Sequence, residues 1–110
     1  MSSGNVNKRD RYGQTRLMEA ARTGDLDAVR QLIAGGAELN HTAKYGLSAL
    51  MLAVLNGHAD VVQALARAGA QQDLRGTGAP GFAGKTARDL ANAQGDPALV
   101  AALQIAPEPN

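Results

Sequence analysis

The 110-residue chain has no cysteine and no tryptophan, and its only aromatic residues are two tyrosines and one phenylalanine. The missing cysteines exclude a disulfide scaffold and a thiolate metal site. Three rings cannot build an aromatic core. Alanine, leucine and glycine carry the apolar fraction instead, which suits small helices at close spacing. Neither sign of charge dominates. Eleven Lys and Arg face ten Asp and Glu for a formal net charge of +1, too balanced to argue for nucleic acid or an anionic membrane. Met1 to Thr15 is polar and holds no apolar run, which argues against a signal peptide, and no stretch is long enough to span a membrane. These absences predict one soluble domain with a cytoplasmic location. Asn40-His41-Thr42 has the form of a glycosylation sequon, which means nothing without secretion.

What the chain does have is a repeat. Residues 13–40 (GQTRLMEAARTGDLDAVRQLIAGGAELN) and 46–73 (GLSALMLAVLNGHADVVQALARAGAQQD) match at a separation of 33. Gly13 pairs with Gly46, Thr15 with Ser48, Leu17-Met18 with Leu50-Met51, Ala20 with Ala53 and Gly24 with Gly57. Val29, Leu32 and Gly36-Ala37 pair with Val62, Leu65 and Gly69-Ala70. A fixed period of this size marks stacked repeats rather than a domain with a closed site, and favours binding over catalysis. Each unit reads as a helical hairpin. Thr15 is placed to cap a short helix with Leu17, Ala20 and Ala21 on one face. Gly24 ends it in a left-handed conformation. Asp25 caps a second helix carrying Leu26, Val29, Leu32 and Ile33 at three- and four-residue spacing, stopped by Gly35-Gly36. The second unit repeats the plan with Ser48, Leu50, Ala53, Val54 and Gly57, then Val61, Val62, Leu65 and Gly69. Neither hairpin can bury its apolar face alone, so the units must stack.

These motifs resemble ankyrin repeats, whose pattern runs G-x-T-P-L-H-x-A-A-x-x-G-H, then V-V-x-L-L, then G-A. The Pro-Leu-His core departs from it, as Arg16-Leu17-Met18 and Ala49-Leu50-Met51. Loss of that histidine implies a missing hydrogen bond between turns, at some cost in stability and none in fold. Gly84-Lys85-Thr86-Ala87-Arg88-Asp89-Leu90-Ala91 resembles the terminal-repeat form G-x-T-A-x-D-L-A, followed by a helix opened by Gly95-Asp96 with Leu99, Val100 and Leu103. The step from Ser48 to Thr86 exceeds the step from Thr15 to Ser48 by five, so an insertion of that length falls around Gly76 to Phe82. The resemblance implies an all-α solenoid of about three repeats over 10–105 (10–42, 43–75 and 76–105), with a disordered segment at 1–9 and a tail at 106–110. About three units is the minimum for a stable array. Residues 1–43 hold 11 of the 21 charged side chains, consistent with a solvated N-terminal outer face. Ala98, Ala101, Ala102 and Ile105 are expected to leave an apolar surface on the last helix, where a polar cap is the rule.

Ala79-Pro80-Gly81-Phe82-Ala83-Gly84-Lys85-Thr86 fits a loose nucleotide-binding pattern, but the buried strand that should precede a phosphate loop is absent from Gln71 to Gly76. The plainer reading is a long finger loop leading to a helix capped by Thr86. His41 and His58 have no metal-ligand partner at useful spacing. Asp25, Asp27 and Asp60 stand at helix starts, where capping explains them. No serine, histidine and acid set converges. The sequence thus predicts no catalytic residue, cofactor or metal.

Tyr12 and Tyr45 share one register, just before the repeat glycine, and Phe82 falls within one residue of it. The resemblance places this register at the tip of the hairpin finger beside the concave face. There the rings either buttress neighbouring fingers or anchor a protein partner. The family's contact positions fall on Arg11, Gln14, Arg22, Lys44, Leu47, Leu55, Asn56 and Lys85. That basic surface with exposed apolar residues implies a partner with an acidic patch around an apolar centre. The expectation is a non-enzymatic protein-binding module, in the form of a small inhibitor or immunity-type protein, with an adaptor subunit or a nucleotide hydrolase using Lys85 and Thr86 as alternatives. The chain is expected to be a monomer or a weak homodimer through its last helix.

Overall fold

The computed structural model of the protein describes residues 6–78, 81–105 and 107. Six helices follow one another: α1 (Arg16–Thr23), α2 (Leu26–Ala34), α3 (Ala49–Leu55), α4 (Ala59–Arg67), α5 (Ala87–Gln94) and α6 (Pro97–Leu103). Consecutive pairs form three hairpins. Helices α1, α3 and α5 stack as an inner layer, and α2, α4 and α6 as an outer one.

Local chemistry explains each boundary. Thr15, Ser48 and Thr86 occupy one register and cap α1, α3 and α5, accepting hydrogen bonds from the amides of Met18, Met51 and Asp89. Asp25 and Asp96 cap α2 and α6 in the same way. At the corresponding place on α4 stands His58, whose side chain makes no cap. Its ring instead crosses to the first hairpin, with Nε2 3.1 Å from the carbonyl oxygen of Arg22. The ring lies where a Cβ on Gly24 would be, so Gly24 (φ +81°) serves both the helix end and this close approach.

The core runs through the stack. Leu17, Ala21, Val29, Leu50, Ala53, Val54, Val62, Leu65, Ala91 and Leu99 are all buried. Small residues at the inner-helix contacts let the backbones approach closely, and Ala53 and Ala91 are fully excluded from solvent. Successive units are also tied by backbone capture. The amide of Glu38 donates to Asn7 Oδ1 at 2.7 Å, and the amide of Gln71 to Asn40 Oδ1 at 2.6 Å. Gln72 Nε2 donates to the carbonyl of Leu103 at 2.8 Å.

Two expectations change. Residues 1–5 of the segment expected to be disordered, like Ala106 and 108–110 of the tail, lie outside the described residues. Val6, however, packs against the core and Asn7 holds Glu38, so ordered contacts begin before residue 10. The missing family histidine is partly replaced: Met18 Sδ accepts the amide of Thr15 at 3.4 Å and closes a capping box. The last helix keeps part of the expected apolar surface, with Ala98 and Ala101 exposed and Ile105 half-buried. Ala98, Ala101, Ala102 and Ile105 line a groove with Ala59, Asp60 and Gln63 of α4. Where the middle hairpin buries Leu50, Val54 and Ala66, the third carries exposed Arg88, Asn92 and Gln104.

Candidate protein-binding surface

Three fingers precede the inner helices. In the first, Asp10 Oδ1 accepts the amides of Tyr12 at 2.8 Å and Gln14 at 3.0 Å, and the amide of Gly13 returns to the Asp10 carbonyl. This turn fixes the tip using a carboxylate and backbone alone. Tyr12 is left 66% exposed, with the Arg11 guanidinium 5.9 Å from its ring centroid.

The second finger is a tighter loop closed by the Ala43 amide on the Leu47 carbonyl and the Gly46 amide on the Ala43 carbonyl. His41 Nε2 lies 2.9 Å from the Gly13 carbonyl and links it to the first finger. At its tip Tyr45 has φ +64°, the left-handed region that a bulky residue rarely adopts. The third finger holds it there. The amide of Thr77 donates to the Tyr45 carbonyl at 2.7 Å, and the Tyr45 and Phe82 rings meet at 5.9 Å with a 45° tilt. Tyr45 stays 38% exposed, with Lys44 Nζ 5.0 Å from its ring centroid.

The third finger contains the insertion. Gly76 pairs with Ala83, the Gly76 amide donates to the Lys85 carbonyl and the Gly84 amide to the Gly76 carbonyl, both at 2.9 Å. Arg75 Nη1 donates to the Gly84 carbonyl at 2.7 Å. A Cβ at Gly76 would run into the Phe82 backbone, so the insertion closes only around glycine there. The amides at the end of this loop are taken up by the chain. The amides of Gly84, Lys85 and Thr86 donate to the Gly76 carbonyl, the Phe82 carbonyl and Asp89 Oδ2. A phosphate cradle needs those amides to converge on a ligand, and here they bind the chain itself; Ala79 and Pro80 lie outside the described residues.

The residues singled out from sequence do not form one continuous ridge. Arg11, Arg22, Lys44, Asn56 and Lys85 are exposed, while Gln14, Leu55 and Phe82 are half-buried. Leu47 is the correction. At 8% exposure it belongs to the core rather than to the contact surface, because its register follows the loop inward beside the cap of α3. Asn56 directs its Nδ2 to the Leu52 carbonyl at 2.8 Å, so part of its side chain serves the end of α3. The aromatic series divides into a braced pair, Tyr45 and Phe82, and a separate Tyr12.

Charge is arranged unequally around these tips. Asp10 and Asp89 are both engaged by backbone amides. The Asp89 carboxyl is held below the ordinary aspartate value first by the Thr86 amide and then by its hydroxyl; desolvation opposes them, and Lys85 and Arg75 add the weakest attractions. Among the described residues, no ion pair or side-chain hydrogen bond holds Arg22 or Lys85, and Arg11 and Lys44 each lie over a tyrosine face. No helix of the described residues is long and apolar enough to cross a membrane.

A family model described as ankyrin repeats in three copies matches residues 2–76. The protein belongs to the ankyrin-repeat family. Ankyrin arrays are protein–protein interaction modules, and the family is in general non-enzymatic. The match ends at Gly76, so hairpin α5–α6 lies beyond it and is recognised as a repeat by its caps and packing. No curated relative matches this ankyrin chain.

Sequence reasoning missed three contributors to the surface: the asparagines that join units, the His41 bond between fingers and the Thr77 brace. Asn7 and Asn40 stand one repeat period apart, so the period itself carried that signal. Thr77 lies inside the insertion, where the repeat offers no register.

Proposed function

We propose that this ankyrin protein is a non-enzymatic binding module whose finger tips and inner helices cover a surface of another protein. The observation that carries this is Tyr12, a large ring left 66% exposed at a finger tip fixed without its help. Such rings, rigid and amphipathic, are the residues that anchor interfaces. Exposed Arg22 and Lys85, with the exposed tyrosines and half-buried Leu55, suit a partner with acidic groups around an apolar centre.

In the form we favour, the protein is a cytoplasmic inhibitor that acts by occlusion. A one-to-one complex in which the target loses activity supports that form. A complex of several chains with activity retained supports an adaptor instead. Tyr12→Ala with Tyr45→Ala should weaken binding by about 2 kcal/mol or more at unchanged helicity. Undiminished affinity in that variant, measured by titration calorimetry, would remove the fingers from the interface.

A further inference from the structure

The first two finger tips carry the same local unit. Arg11-Tyr12 and Lys44-Tyr45 are one repeat period apart in sequence, each a cation lying over the neighbouring tyrosine ring and each exposed. The third finger supplies a variant, with Phe82 against Tyr45 and Lys85 unpaired. The carboxylates nearest the tips, Asp10 and Asp89, are already engaged by backbone amides. The row therefore offers a cation and an aromatic ring at each finger, one set per repeat. Packed helices sit about 8–10 Å apart, and the fingers inherit that spacing from α1, α3 and α5. A chain in the extended polyproline II conformation advances about 3.1 Å per residue with three residues per turn, so one repeat corresponds to about three residues and every third side chain returns to the same face.

Building on the binding-module reading, we propose that the row of finger tips receives an extended acidic segment of the partner protein, running across the fingers with carboxylates at every third position. Each carboxylate meets one finger's cation, and the residues between them lie on Tyr12, Tyr45 and Phe82. Two features favour a protein segment over a nucleic acid. The fingers carry the apolar rings of Tyr12, Tyr45 and Phe82, and the chain's formal net charge is only +1.

The test uses the full chain and two fluorescein-labelled peptides of one composition, read by fluorescence anisotropy. One peptide has glutamates at every third position with leucine and serine between them; the other has the same glutamates in one block. The periodic peptide should bind at least tenfold tighter. Arg11→Glu with Lys44→Glu should abolish that preference. Arg30→Glu with Arg67→Glu, an equal charge change on α2 and α4, should leave it intact. Equal binding of both peptides, binding of neither, or a preference that survives the finger reversal would overturn the proposal. So would tighter binding of oligothymidylate than of the periodic peptide. If the peptides show no preference while Tyr12→Ala with Tyr45→Ala still releases the protein partner, the binding-module reading stands and the extended acidic segment falls. If the partner is also retained, both fall.

Discussion

Gly24 is the residue on which the joint between the first two hairpins depends most. Its left-handed φ disfavours any side chain, and a Cβ there would sit 2.6 Å from ring atoms of His58. Gly57 has a similar φ of +75° and nothing within 4 Å of the same position. Gly57→Ala should therefore cost about 1 kcal/mol, the conformational penalty alone. Gly24→Ala adds overpacking and should cost about 2–4 kcal/mol. Urea unfolding of both variants checks the order; equal losses would mean that the His58 ring moves aside freely. Asp89 makes a second prediction at this scale. Its folded carboxyl titrates below its unfolded value, so the stability it contributes is present above about pH 4 and disappears as the pH falls through the folded value. The stability gap between the protein and Asp89→Asn should shrink on acidification through that range, followed by circular dichroism in urea. A gap that stays constant would show that the Thr86 cap does not depend on the charge.

At the scale of the element, caps, glycine stops and the apolar faces of the first two hairpins could be read from sequence because each rests on local chemistry that recurs with the repeat period. Thr15, Gly24 and Asp25 stand where their residue types predict. The fingers were less legible. Leu47 looks like a surface residue by register, but the turn at Lys44–Gly46 carries it inward. Tyr45 could not be read as braced because its support comes from Thr77 and Phe82, far along the chain and within an insertion. The same reasoning gives the asparagine links a measurable role. Asn40→Ala leaves the Gln71 amide without its side-chain acceptor and should destabilise the array by about 1 kcal/mol. Hydrogen exchange should show faster opening at Gln71 than at the core of α1. Unchanged protection at Gln71 would mean that water replaces the asparagine at no cost.

Across the whole molecule, a near-neutral formal charge conceals an uneven surface. Asp10, Asp25, Asp60, Asp89 and Asp96 accept backbone amides, which places them at turns and helix starts. The cations of the finger tips do not share that work and face outward. Both ends of the stack are polar by substitution at repeat positions. Arg16 and Glu19 stand where the middle hairpin buries Ala49 and Leu52, and Arg88 and Asn92 where it buries Leu50 and Val54. The last helix still exposes Ala98 and Ala101, and the side bearing the fingers keeps its exposed rings. The most direct measurement of the central claim compares affinity capture from native lysate by the protein, by Tyr12→Ala, and by Arg30→Ala with Arg67→Ala on the outer helices. The account predicts one dominant protein partner, lost with Tyr12→Ala and kept by the outer-helix variant. A partner kept by Tyr12→Ala and lost by the outer-helix variant would contradict it.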